Sequence, residues 1–237
     1  MRYILANSGK PVDLGQELGR GGEGVVYAVH GHNSWVAKVY AKPPDPDKVH
    51  KLQTMTKTAN AALERIASWP IDLLLGQNKV CGFIMPRISA RRDIHELYSP
   101  KRRAQTFPDA DFRFLVHVAA NVARAFVVMH EHGHVIGDVN HGNLLVAPNG
   151  TVTFIDCDSF QIANGDRIFT CDVGVPLFTA PELHGQTLRG LVRFPNHDLF
   201  GLAVLLFHLL YMGRHPFAGR YRGPGDMPIE RAIAEYR

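Results

Sequence analysis

Gly19, Gly21 and Gly24, with Val26 closing a G-x-G-x-x-G-x-V pattern in the run GRGGEGVV, are the first residues in this chain whose types and spacing could do chemistry. Glycine has no Cβ to hold a backbone away from a ligand, so such a turn can fold close over phosphate groups and aim amide hydrogens at them. Lys38 follows in WVAKVY. An ammonium pointing inward from an apolar strand needs an anionic partner to offset its desolvation, and a phosphate supplies one. Further along, Asp138 and Asn143 in GDVNHGNLLV and Asp156 in TFIDCD offer oxygen donors of the kind hard cations require. Phosphate-facing amides, a fixed cation and metal-holding oxygens are the parts of phosphoryl-transfer chemistry. Each also has an ordinary explanation when taken alone: a hairpin turn, a solvent-facing strand lysine, a turn-forming Asp or Asn.

The elements that must position these groups can be read from the apolar pattern. The glycine spacing also marks dinucleotide-binding folds, but there the third glycine opens a helix. Here GVVYAVH continues as a strand. Apolar runs at Val25–Val29, Trp35–Tyr40 and Val80–Met85, bordered by Gly and Pro, predict strands, and KPPDPD at 42–47 reads as a loop. From Asp111 to His130 apolar residues recur at helical spacing, with Asp109 or Asp111 as the cap. Short strands are expected at Leu144–Val146 and Val152–Ile155. A long segment without periodicity then runs to Asp198, where a buried helix opens in DLFGLAVLLFHLLYM. Strands first and helices later predict a small sheet-rich lobe joined to a larger helical one.

With 237 residues at 46% hydrophobic, the chain can bury a large core without metals or disulfides. Cys81, Cys157 and Cys171 are odd in number and unrelated in spacing, which argues against a disulfide framework or a zinc site and for a reducing, cytoplasmic setting. The start MRYILANSGK lacks the pattern of a signal peptide. The most apolar stretch, Leu199–Met212, is interrupted by His208 and too short to span a bilayer, so no membrane insertion is expected. Net charge is +4 with a pI near 9.0. That excess is small, and Arg87, Arg91, Arg92, Lys101, Arg102 and Arg103 read as a solvated face, so no nucleic-acid partner is expected.

Taken in order, GRGGEGVV at 19–26, Lys38, GDVNHGN at 137–143, IDCD at 155–158 and APE at 180–182 resemble the catalytic core of the protein kinases, from glycine-rich loop to the end of the activation segment. GVPLFTAPE stands where that family places G-T-x-x-Y-x-A-P-E, and the resemblance covers roughly residues 14 to 220. It implies an α+β, bilobal protein-kinase-like fold. An antiparallel-sheet N-lobe over 1–88 would carry the glycine-rich loop and hinge. A mainly helical C-lobe over 89–237, truncated at its end, would carry the catalytic loop, activation segment and buried helix. The implied cofactors are ATP and Mg2+, with Mn2+ as a substitute, and the implied reaction moves the γ-phosphoryl group to a Ser or Thr hydroxyl of a protein substrate.

By the same resemblance Gly19, Gly21 and Gly24 cover the phosphates, Lys38 pairs with them, Asp138 orients the attacking hydroxyl, and Asn143 and Asp156 hold the metal. Leu18, Val26, Val36 and Leu145 would sandwich the adenine, with Met85 behind it and Pro86–Ile88 as the hinge. Pro86 lacks an amide hydrogen, so donors there come from Arg87 or Ile88. Asp198 should receive backbone hydrogen bonds from the catalytic loop, and Glu182 should pair with an arginine beyond Arg237. More narrowly, WPIDLL, GFIMPR, GDVNHGN, IDCDSF and GRHPFAGR resemble a bacterial subgroup fused to helix-hairpin-helix segments or associated with tellurite-resistance operons. That resemblance implies a von Willebrand-type domain protein and a metal-dependent protein phosphatase as partners.

Departures from the pattern keep alternatives open. The usual His-Arg pair before the catalytic aspartate is Ile136-Gly137, leaving no arginine there to grip a phosphorylated activation loop. The usual lysine two residues past the aspartate is Asn140, its activation-segment threonine is Val175, and the usual metal-loop glycine is Asp158. The helix acid expected to pair with Lys38 is Lys51 in the natural register, and Glu64 is the nearest downstream acid. Three readings survive: a protein kinase, a small-molecule kinase of the aminoglycoside type on the G-D-x-x-x-G-N likeness of 137–143, and a nucleotide-binding pseudokinase scaffold.

Overall fold

Valine, tyrosine and tryptophan recur in the runs GVVYAV and HNSWVAKVY, and β-branched and aromatic side chains of this kind favour strands. In the computed structural model, which describes residues 3–237, these strands and the helices that follow them form two compact units, one ending at Ser89 and the other Ala90–Arg237. The first unit contains β1 (Tyr3–Leu5), β2 (Pro11–Val12), β3 (Leu14–Arg20), β4 (Gly24–Val29), β5 (His32–Tyr40), α1 (Pro46–Thr58), α2 (Ala61–Ile66), β6 (Asp72–Gly76) and β7 (Lys79–Pro86). The seven strands make one antiparallel sheet in the order β2-β1-β6-β7-β5-β4-β3. Leu5, Val12, Val29, Ala37, Leu74 and Ile84 build its core, with Trp35 and Val39 packed against them. Residues alternate across a strand, so Val36, Lys38 and Tyr40 face the other way. Register brings Val26 and Phe83 opposite Lys38, and Met85 opposite Val36.

The loop expected over 42–47 ends two residues early. Pro46 opens α1, where its missing N–H costs nothing, and the Asp45 carboxylate accepts the Lys48 amide at 2.7 Å. Proline signals both loops and helix starts, and here the second role prevails. The stretch from Lys48 to Ile66 is two helices, broken at Ala59–Asn60, where Asn60 caps α2. The Trp69 indole N–H donates to the Met55 carbonyl at 2.9 Å at the end of α1.

The second unit contains β8 (Arg92–Asp93), α3 (Ile94–Tyr98), α4 (Pro100–Thr106), α5 (Phe112–Glu131), β9 (Leu144–Val146), β10 (Val152–Phe154), β11 (Ile162–Asn164), β12 (Arg167–Phe169), α6 (Pro195–Leu210) and α7 (Ile229–Ala234). Helix α5 matches its expected span, with Asp111 capping through the Phe114 amide at 2.8 Å. It is long and apolar enough to cross a membrane by length and composition, which Leu199–Met212 is not. Its stripe of Leu115, Val118, Val122, Phe126 and Met129 is nevertheless buried in the unit, where it packs against α6. Strands β8, β9 and β10 form a small sheet. The segment without periodicity contains the β11–β12 hairpin and single helical turns at Cys157–Ser159, Pro176–Phe178 and Pro181–Leu183. Helix α6 starts at Pro195, three residues before Asp198.

Candidate active site

In the first unit the glycine-rich turn joins β3 to β4, closed by the Gly21 amide donating to the Gly24 carbonyl at 2.9 Å. The glycines are not equivalent. A Cβ at Gly24 would lie 2.3 Å from the Val39 carbonyl oxygen, so packing alone demands glycine there. At Gly19 and Gly21 a Cβ would meet only open space, so nothing in the unit itself demands a bare backbone. Leu18 is exposed at the edge of this turn.

Lys38 is 5% exposed, and its Nζ lies 5.7 Å above the Tyr40 ring and 5.9 Å above that of Phe83. It also stands 3.9 Å from Oε2 of Glu23, at the tip of the turn, and the same oxygen is 3.4 Å from Lys48 Nζ on α1. Glu23 occupies a variable position of the glycine pattern, so no spacing rule flagged it. Lys51 is buried on α1 at the place where the resemblance expects an acid, and Glu64 is exposed on the separate helix α2. At the expected hinge the Arg87 amide donates to the Ser34 carbonyl at 2.8 Å, and the Pro86 carbonyl accepts the Ser68 hydroxyl at 3.2 Å. The sheet thus takes the Arg87 amide that the resemblance offered to a base, which leaves Ile88 as the hinge residue with an amide to give.

In the second unit the chain leaves α5 and reaches Asp138 through a loop anchored on Asp198. The Asp198 carboxylate is 1% exposed and accepts the Ile136 amide at 2.7 Å and the Gly137 amide at 2.8 Å, with His130 Nε2 2.9 Å away. This is the structural role expected for it. Gly137 has φ +72°, a conformation in which glycine alone is unstrained. Asn143 donates its side-chain amide to Oδ2 of Asp138 at 3.0 Å and to the Asp138 carbonyl at 3.1 Å. Oδ1 of Asp138 is buried and has no hydrogen-bond partner among the described residues. Burial pushes the Asp138 carboxyl up from the ordinary carboxylate range, and the Asp156 charge adds to the rise. The hydrogen bond from Asn143, the nearby Asn140 side chain and the Arg193 guanidinium oppose it.

Asn140, in the place of the usual lysine, turns back on its own loop: its amide donates to the Asp138 carbonyl at 3.1 Å and its oxygen accepts the Gly142 amide at 2.8 Å. The Ile155 amide donates to the Asn143 carbonyl at 3.0 Å and so ties the next motif to this loop. Asp156 is exposed with φ 57°, whereas Asp158 is 1% exposed. Leu145 is half-buried on β9, opposite Thr153 and Asp93. The Glu182 carboxylate lies 3.6 Å from His197 Nε2, so a partner for it is already present well before Arg237. Asn143 and Asp156 fit a hard cation: Asp156 offers carboxylate oxygens, and the Asn143 amide, its nitrogen committed to Asp138, offers its oxygen.

An antiparallel sheet bearing a glycine-rich turn and a buried strand lysine, followed in the chain by a helical unit with an aspartate-anchored loop, is the protein-kinase-like fold. A solved ROP18 kinase domain in complex with AMP-PNP and sucrose matches it with a TM-score of 0.61 at 20% identity, over 90% of this chain and 68% of that one. No family profile matches the chain. Among curated proteins it is 46% identical over 221 residues to Protein kinase YegI of Escherichia coli K12, covering 91% of this chain. It is 30% identical over 101 residues, 41% of the chain, to Serine/threonine-protein kinase GRIK2 of Arabidopsis thaliana. It is also 30% identical over 108 residues, 45% of the chain, to Serine/threonine-protein kinase PknA of Mycobacterium tuberculosis. The similarity supports a place in the protein kinase superfamily. The matched regions span 34% of the YegI protein and 24% of each of the other two.

Proposed function

We propose that this chain is an ATP-dependent protein kinase that moves the γ-phosphoryl group to a Ser or Thr hydroxyl of a partner protein, assisted by Mg2+ or Mn2+. The observation that carries the reading is Oδ1 of Asp138, a buried acceptor without a partner on a carboxylate whose other oxygen Asn143 holds. A substrate hydroxyl supplies the missing donor. As its oxygen attacks the γ-phosphorus, the bond to the β,γ-bridging oxygen breaks, ADP leaves, and the hydroxyl proton passes to Asp138. Asn143 and Asp156 hold the metal, which supplies charge neutralisation when bound. Gly19, Gly21 and Gly24 cover the phosphates, and Lys38 pairs with them. Leu18, Val26, Val36, Met85 and Leu145 take the base, with Ile88 as hinge donor.

The names of GRIK2 and PknA support Ser/Thr specificity, and that of YegI supports a protein substrate. We extend the reading to a cytoplasmic location and to the tellurite-associated subgroup, with a von Willebrand-type domain protein and a metal-dependent phosphatase as partners; co-purification tests these. The decisive assay is transfer of label from γ-labelled ATP to the protein itself, a generic basic protein and an aminoglycoside panel, with Asp138→Asn as control. Label on protein that the variant abolishes is the expected result, and label on the panel alone overturns it.

The pseudokinase reading keeps two observations in its favour. Asn140 is bound within its own loop and brings no cation toward the γ-phosphate, and Lys51 stands where an acid is expected. Absence of transfer together with a nucleotide-induced rise in melting temperature would establish it.

A further inference from the structure

Arg193, in the loop just before α6, belongs to no motif, yet it is 2% exposed and its guanidinium joins three segments. Nη1 donates to the Gly137 carbonyl, next to Asp138, while Nη2 donates to the carbonyls of Cys171 at 3.0 Å and Val173 at 2.6 Å. Its backbone is clasped in both directions by Gln161: the Arg193 amide donates to Gln161 Oε1 at 2.8 Å, and Gln161 Nε2 donates to the Arg193 carbonyl at 2.7 Å. Gln161 in turn exchanges backbone bonds of 2.8 and 3.0 Å with Val135, at the start of the catalytic loop. Desolvating a buried cation is costly unless dipoles compensate, and here the carbonyls of Gly137, Cys171 and Val173 do so.

Gly137 completes the set. A Cβ there would fall 2.7 Å from Cys171 Cβ and 3.1 Å from Arg193 Nη1, so the space that a side chain before Asp138 needs is already filled by the activation segment and this guanidinium. Loss of the usual arginine before the aspartate and the presence of Arg193 are thus two sides of one packing solution. We infer that Arg193 is a positioning residue that locks the Asp138 loop to the start of the activation segment without phosphorylation, supplying from within the unit the grip that an arginine before the aspartate would exert on a phosphorylated loop. The inference rests on the kinase reading for its catalytic consequence, though the brace itself does not.

The test compares wild type, Arg193→Lys, Arg193→Met and Gln161→Met by steady-state kinetics on phosphatase-treated protein and by amide hydrogen exchange. Wild type stays fully active after phosphatase treatment. Arg193→Met lowers kcat at least about tenfold with KM for ATP within about twofold, as loss of alignment predicts. Exchange rises at 135–138 and 171–174 and stays unchanged in β9 and β10, and Arg193→Lys recovers part of both effects. Should Arg193→Met fail to fold, Gln161→Met, which removes only the clasp, shows the same pattern at smaller amplitude. Unchanged exchange in those segments, or unchanged kcat in an active enzyme, overturns the inference. A wild type without transfer overturns the kinase reading instead, and exchange alone then decides the brace.

Discussion

In the proposed reaction Asp138 takes the hydroxyl proton, and its neighbours define what each substitution should do. Asn143→Ala removes the donor that fixes Oδ2, so transfer should fall by about 10²-fold or more, measured as initial rates of label incorporation at saturating ATP. Gly137→Ala places a Cβ against Cys171 at a positive φ, so denaturant unfolding should show a loss of about 1–3 kcal/mol. That Asp138 and Asn143 meet was legible in the sequence, because they stand close together in one short loop. The roles of Glu23 and Arg193 were not. Glu23 acts through ion pairs, and Arg193 grips backbone carbonyls of residues far away in the chain, contacts that leave no local signature. Of the two hinge donors the sequence offered, Arg87 and Ile88, the Arg87 amide is taken by the Ser34 carbonyl, a choice made by strand register rather than by residue type.

At the scale of elements, periodicity revealed what is long. Helix α5, its cap at Asp111 and the strands around Lys38 follow from apolar spacing. The β11–β12 hairpin did not: its strands IAN and RIF each carry a polar or charged residue, whereas the equally short β9 and β10 stand out as LLV and VTF. The start of α1 was hidden by proline, and Asp45→Ala tests the cap found there: a loss of about 1 kcal/mol is expected in thermal or denaturant unfolding. The turn after α5 carries a pH response. His134 is buried, which lowers its pKa from 6.5 to about 4, and its Nδ1 lies 3.4 Å from the Ala163 amide as an acceptor. Between those two values the unfolded chain binds a proton that the fold does not, so stability is lost as pH falls from 6.5 towards 4. The loss should approach about 3 kcal/mol, and denaturant titrations of His134→Gln should be flatter over the same window.

At the scale of the whole molecule, strands crowding the first ninety residues and helices the remainder made the two-unit order readable before any contact was known. Ligand binding tests the assignment of roles to units. Mg-ATP should raise the melting temperature, since a ligand bound only by the fold stabilises it by mass action. Lys38→Met should diminish that shift through the phosphates, and Asp156→Asn through the metal. Equal shifts in all three proteins would remove both residues from the nucleotide's contacts.

The three glycines of the turn carry a different kind of information from one another. A random library at Gly19, Gly21 and Gly24, sorted only for soluble, correctly folded product, should return Gly24 almost invariably because the Val39 carbonyl sits where a methyl would go. The other two positions should drift to alanine and serine. Resorting the same library for nucleotide capture should bring them back, and the difference between the two pools would separate the demands of architecture from those of cargo within a span of six residues.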